Sequence, residues 1–343
     1  KETTPDHDTR LTSVMVRSGF FLPLFGFGVV HASLYANSTR QNHTCWLDKP
    51  VLSCSQASFN LADLDTCCTE TYGGLVVATQ FWDTHTGMEK SGQLLPNNHW
   101  TIHGLWPDFC NGTFTQYCDL SRQYDPHPSP KTQNGEEDGT IVKPWNGTGV
   151  DDFIKDWGRQ DLLDFMNSFW VSQGSPNKDF WAHEFSKHGT CYSTFDIPCY
   201  GPKYRKHQEL IDFYDTAIRY YLSLPTFDWL AAEGITPSNK TSYSLDQISN
   251  ALEKHYGAKP YIGCSGPEFK DTDAGKHSND SGNTVLNEVW YFNHVYGPVR
   301  NANTSRIDSS SHSRCSQSDK AIWYYERAPE SVKDVSKYKN AFE

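Results

Sequence analysis

Two short stretches of the 343-residue chain concentrate side chains that can move protons. The first, His99-Trp-Thr-Ile-His-Gly-Leu-Trp-Pro-Asp108, carries His103 among apolar and aromatic residues. The second, Phe180-Trp-Ala-His-Glu-Phe-Ser-Lys-His-Gly-Thr-Cys191, carries His183, Glu184, Lys187 and His188. At about 100° per residue, a helix would place His183 at about 0°, Lys187 at about 40°, Glu184 at about 100° and His188 at about 140°. The four ionisable groups then share one side, beside Trp181 and Phe185. Histidine's ordinary pKa of about 6.5 leaves both protonation states accessible, so two of them can work as base and acid. A lysine supplies fixed positive charge to developing oxyanions. Cleaving a phosphodiester through a neighbouring hydroxyl needs such a set: a base for the 2′-OH, an acid for the departing 5′-oxygen and donors for the phosphoryl oxygens. It needs no metal or cofactor. A zinc reading of His-Glu-x-x-x-His fails on spacing, because the zinc box needs histidines four apart and these are five apart.

The elements that must position these groups can be read around them. Thr101–Trp106 is a short strand, on which Thr101 and His103 share a face and Ile102 points away. Gly104 allows another backbone to approach, Pro107 ends pairing, and Trp106 and Asp108 extend the site. The second stretch is a short helix, capped by Asn177 or Asp179 and stopped at Gly189. Leu75–Trp82 is apolar and β-branched and reads as a buried strand. Residues 151–170 and 209–224 have helical spacing, and 244–256 opens with a Ser244/Gln247 capping box. Further strands are expected at 261–265, 285–295 and 322–326. Helices in the middle and strands at either end indicate an α+β fold, an antiparallel sheet packed against helices. Residues 124–150 are rich in Pro, Gly, Asn and acidic side chains and read as a surface insertion.

Composition narrows the class. The net charge is −11 and no Lys/Arg-rich run occurs, which excludes a module that holds nucleic acid stably by neutralising its phosphates. Transient contact with RNA as a substrate remains open, with no membrane partner and a monomeric chain expected. Met15-Val16-Arg17, the apolar stretch 20–30 and small residues at Ala32, Ser33 and Ala36 follow the order of a signal peptide, with residues before Met15 an upstream tail. A single domain then runs from 37 to 343. Its ten cysteines, and sequons at Asn37, Asn42, Asn111, Asn146, Asn239, Asn279 and Asn303, agree with an extracellular or vacuolar destination.

Together, Trp100–Asp108 and Phe180–Cys191 resemble the two active-site segments of the ribonuclease T2 family, secreted or vacuolar acid endoribonucleases. The resemblance covers roughly Cys45–Arg327, and its ten cysteines are similar to those of the fungal branch. It implies cleavage of single-stranded RNA by transphosphorylation to a 2′,3′-cyclic phosphate, then hydrolysis, with low base specificity. His188 is the implied base, His103 the acid and His183 the phosphate ligand, with Glu184 and Lys187 stabilising the transition state. A base pocket is implied at Trp106, Asp108 and Phe114, the last replacing a frequent tyrosine, and a second base site at Gln80 and Phe180. The implied disulfides are Cys45–Cys68, Cys54–Cys110, Cys67–Cys199, Cys118–Cys191 and Cys264–Cys315. The insertion and the tail after Arg327 have no evident family counterpart. The competing reading is a secreted glycoprotein with an interaction or cytotoxic role on this fold; intact His103 and His188 argue against loss of catalysis.

Overall fold

The computed structural model describes residues 45–341, apart from 48, 62–63 and 271–279. The expected leader and the sequons at Asn37, Asn42 and Asn279 lie outside the described residues. In chain order the strands are β1 (Leu75–Phe81), β2 (Leu95–Pro96), β3 (Thr101–Asp108), β4 (Ser242–Tyr243), β5 (Tyr261–Glu268), β6 (Asn283–Val295), β7 (Thr304–Ile307), β8 (Ile322–Trp323) and β9 (Val332–Lys333). The helices are α1 (Val150–Asp156), α2 (Gln160–Phe169), α3 (Asn177–Lys187), α4 (Gln208–Leu222), α5 (Thr226–Ala232) and α6 (Leu245–Tyr256).

β1 has antiparallel neighbours on both edges, β3 and β6, and β6 also pairs with β5 and β7. A single parallel pairing links β6 to β8, and β8 continues to β4, giving a seven-stranded sheet. The fold is α+β, as the sequence indicates. One face of β1 and β3 (Val76, Ala78, Ile102, Leu105) packs into a core with Met166, Phe169, Leu210, Tyr214, Ile248 and Leu252 from the helices. On the other face Leu75 and Val77 join Tyr261 and Phe292, with Trp106 and Trp290 against them. β1 needs apolar residues at both phases because each face meets a core. Burying that side-chain surface contributes roughly 25 cal/mol per Å².

The expected helix over 151–170 is two helices. Gly158, at φ +70°, breaks it, because the left-handed region suits glycine and ends α1. The expected strand 322–326 pairs over two residues only, and α5 and β7 were not anticipated. The capping box of α6 is present: Ser244 Oγ accepts from Gln247 N, and Gln247 Oε1 accepts from Ser244 N at 2.9 Å.

Within the segment 124–150, residues 131–149 are mostly exposed, but Tyr124, Asp125 and Val142 are buried, and Tyr124 packs on Phe153 and Phe185. Hydrogen bonds rather than regular periodicity anchor it, so the sequence pattern gave no sign of these buried positions. Five disulfides join Cys45–Cys68, Cys54–Cys110, Cys67–Cys199, Cys118–Cys191 and Cys264–Cys315. Cys54–Cys110 secures the chain just after β3, and Cys118–Cys191 the turn just after α3. Among the described residues no helix is long and apolar enough to cross a membrane.

Candidate active site

The sheet delivers His103 through an irregularity. Thr79 pairs with Gly104 and Gln80 with Ile102, so His103 is an extra residue in β3, a β-bulge. Simple alternation along the strand therefore fails there. The bulge lets Ile102 and Leu105 both enter the helix-side core while the His103 ring stacks on Phe81, centroids 3.8 Å apart. Trp170 Nε1 donates to the His103 carbonyl at 2.9 Å and pins its backbone. Pairing does not stop at Pro107, which faces Val76; β3 runs to Asp108 and includes Trp106.

α3 delivers the other groups. Its N-cap is Pro176, without a side-chain cap, because Asn177 Oδ1 instead accepts from Ser172 N at 2.9 Å. The helix ends at Lys187, and a 3-10 turn over Gly189–Cys191 follows. Gly189 is needed for space: a Cβ would come within 2.8 Å of Phe185. At Gly104 the close neighbour is a side chain rather than another backbone, since a Cβ there would overlap Glu184 Oε2.

The two elements meet around Trp106. Its indole stacks on His188, centroids 5.1 Å apart, and meets His103 edge-on at 4.7 Å. Its Nε1 donates to Glu184 Oε2 at 2.9 Å, and Trp290 packs on it from β6. Glu184 Oε1 lies 3.6 Å from His103 Nε2. Across Phe81, Glu288 of β6 reaches His103, with Nδ1 and Oε1 2.6 Å apart. His183 Nδ1, also on α3, lies 2.7 Å from Asp125 Oδ2.

The imidazoles sit in different fields. Burial pushes His188 well below the ordinary histidine value, and Lys187, His183 and His103 push the same way. Its Nδ1 is buried, with no hydrogen-bond partner among the described residues. His103 keeps 18% side-chain exposure, with the Glu184 and Glu288 carboxylates beside it. Burial lowers Lys187, and attraction to Glu184 and Asp125 opposes this.

The residues expected to hold bases are dispersed. Asp108 lies at the end of β3, its carboxyl raised to about 7 by burial. Phe114 is 68% exposed, beyond a turn closed by Phe109 N donating and Phe109 O accepting. Phe180 is 5.8 Å from the His103 ring, centroid to centroid. Gln80 is 2% exposed; its amide donates to Leu224 O at 2.9 Å, and it lines a cavity of about 10 Å³ with His99 and Tyr221. Asn111, Asn146, Asn239 and Asn303 are exposed.

Sequence reasoning missed Glu288, Asp125 and Tyr117. Glu288 carried a usable signal, a lone acid inside the apolar run Val285–Val295. Asp125 carried none, lying in a polar segment.

A family model described as Ribonuclease T2 matches residues 73–326. The chain belongs to the ribonuclease T2 family. It is 36% identical over 275 residues to Ribonuclease T2-like 1-A of Candida albicans, covering 80% of this chain and 58% of that protein. It is also 36% identical over 252 residues to Ribonuclease T2-like of Aspergillus fumigatus, covering 74% of this chain and 50% of that one. The chain thus spans little more than half the length of these relatives. Among solved structures it resembles that of Actibind, a T2 ribonuclease, with a TM-score of 0.60 and 28% identity over 81% of this chain and 96% of the other. The T2 match stops short of β9, so the C-terminal segment lies beyond it.

Proposed function

We propose that this chain is an endoribonuclease that cleaves single-stranded RNA through its own 2′-OH, giving a 2′,3′-cyclic phosphate and then a 3′-phosphate end. The observation that carries this reading is the pair of unlike imidazoles, His103 and His188, on either side of one indole. A base must be neutral, and burial beside Lys187 keeps His188 so into the acid range. An acid must carry a proton and hold it in orientation. Glu288 accepts from His103 Nδ1, which leaves Nε2 to serve the substrate.

In the first step His188 takes the 2′-OH proton, the 2′-oxygen attacks phosphorus, and the 5′-oxygen leaves with the proton from His103. Lys187 and His183 hold the charge on the phosphoryl oxygens, and Glu184, beside the working end of His103, supports the transition state. Water opens the cyclic phosphate in the second step, with the histidine roles exchanged. Trp106, Asp108 and Phe114 meet the base on one side of the scissile bond in this reading, and Phe180 the base on the other. RNA is a transient partner, and the enzyme acts as a monomer with no metal or cofactor in its mechanism. Export to an oxidising compartment, outside the cell or in a vacuole, is supported by five disulfides and exposed sequons.

Digestion of the four RNA homopolymers at acidic pH, with products followed by chromatography, tests the reading. Cyclic phosphates should appear first and 3′-phosphates later, while DNA of matched sequence stays intact and EDTA leaves the rate unchanged. Comparable cleavage of DNA, or products with 5′-phosphates, would refute the mechanism.

A further inference from the structure

The segment 124–150 is held more tightly than its composition suggests, and one carboxylate is the focus of the hold. Gln123 closes around Asp125: its Oε1 accepts from Asp125 N, and its Nε2 donates to Asp125 O at 3.1 Å and to Lys143 O at 2.6 Å. Trp145 N also donates to Asp125 O at 2.9 Å. The Asp125 carboxylate accepts from Tyr117 OH at 3.0 Å and from His127 N at 2.7 Å, besides its contact with His183 Nδ1. The segment grips Tyr117 as well, through Ser129 N to its hydroxyl at 3.0 Å and Gln133 Nε2 to its carbonyl at 2.7 Å. Tyr117 N in turn donates to Lys187 O at the end of α3.

Asp125 is 1% exposed. Burying a carboxylate costs several kcal/mol unless it is paired and hydrogen-bonded. A purely structural anchor here could use a neutral amide, since Tyr117 OH and His127 N need only an acceptor oxygen. An acid is specifically suited to the third partner, an imidazole whose Nδ1–H must be held and whose positive charge must be supported.

We infer that segment 124–150 is a support for the active site, in which Asp125, backed by Tyr117, positions His183 so that Nε2 faces the scissile phosphate. Asp125 is a positioning residue and touches no substrate. The inference rests on the assignment of His183 to the phosphate. It explains why a stretch without helix or strand is folded against α3: Gln123, Trp145 and Lys143 bring its two ends together behind one side chain.

Steady-state kinetics on a dinucleotide, with inorganic phosphate as competitive inhibitor, test it in Asp125→Asn, Asp125→Glu and Tyr117→Phe. Asp125→Asn should raise KM and the phosphate Ki together by about 10–100-fold, the range seen when the carboxylate behind a metal-bound histidine is lost, with kcat changing much less. Asp125→Glu should recover part of the loss, and Tyr117→Phe should move both constants in the same direction by less. Long-range 1H–15N spectra above neutral pH should show His183 as the Nδ1–H tautomer in the wild type and a shift toward Nε2–H in Asp125→Asn. Should Asp125→Asn fail to fold, as read by near-UV circular dichroism, Tyr117→Phe carries the kinetic test alone. Unchanged KM and Ki in a folded variant, or an unchanged His183 tautomer, would overturn the inference while RNA cleavage by the wild type still stood. A wild type that neither cleaves RNA nor binds phosphate would instead overturn the reading on which it rests.

Discussion

On the sheet side of the site, His103 is partly open to solvent and faces the carboxylates of Glu184 and Glu288. On the helix side, His188 is buried, faces Lys187 and two further imidazoles, and has no acceptor for Nδ1 among the described residues. The two rings touch the same indole. In the proposed mechanism that difference gives one residue type two jobs. Burial beside a cation favours the neutral form of a ring, which suits His188 to the proposed role of base, while the carboxylate behind His103 Nδ1 orients the other ring for the proposed role of acid.

The strongest way to break this comparison is to remove either ring. His103→Phe and His188→Phe should each lower kcat by on the order of 10²–10⁴, the contribution of a positioned acid or base, with melting temperatures close to wild type. Near-normal turnover in either purified variant would end the assignment. A milder change sharpens it. Glu288→Gln keeps the shape behind His103 and removes the charge, so kcat should fall by about 10–100-fold. Asp83, Glu184 and His188 also act on this ring. An unchanged kcat would show that Glu288 only packs there.

The smallest effect is on stability and isolates burial from catalysis. Glu70 is fully buried, accepts from Ser193 N at 2.6 Å and from the Ser193 and Thr194 hydroxyls, and has its pKa raised to about 7 by burial. The folded state therefore holds a proton that the unfolded chain releases near the ordinary value of 4.5. Its contribution is full below that value and is lost as pH rises to about 7. Glu70→Gln cannot titrate, so its melting temperature relative to wild type should rise between pH 4.5 and 7. A difference that stays flat across this window would show that Glu70 is ionised at both ends of it.

Much of the α3 side was legible in the sequence, because a helix turns spacing into direction. The arc of His183, Glu184, Lys187 and His188 needs no distant information. The sheet side was less so. Its partner for His103 lies 185 residues away on β6, and its geometry depends on an extra residue that alternation does not reveal. The break at Gly158 was a local signal overlooked within a long helical pattern. Asn177 was a plausible cap whose side chain was taken by Ser172, a tertiary choice that outweighs local preference. Asp125 illustrates the limit: burial by hydrogen bonding leaves no periodic trace.

The bulge at His103 also bears on how such a site is acquired or transplanted. A point substitution can place a histidine on a regular strand, but its side chain must then follow the alternation of that strand. Here the position exists because β3 is one residue longer than the stretch of β1 it faces. Inserting or deleting a residue, rather than exchanging one, creates or destroys it. A donor sheet for the proposed chemistry must therefore copy a mismatch in strand length along with the side chains, and deleting the single residue between Ile102 and Gly104 would leave the fold a continuous ladder with no place for the proposed acid.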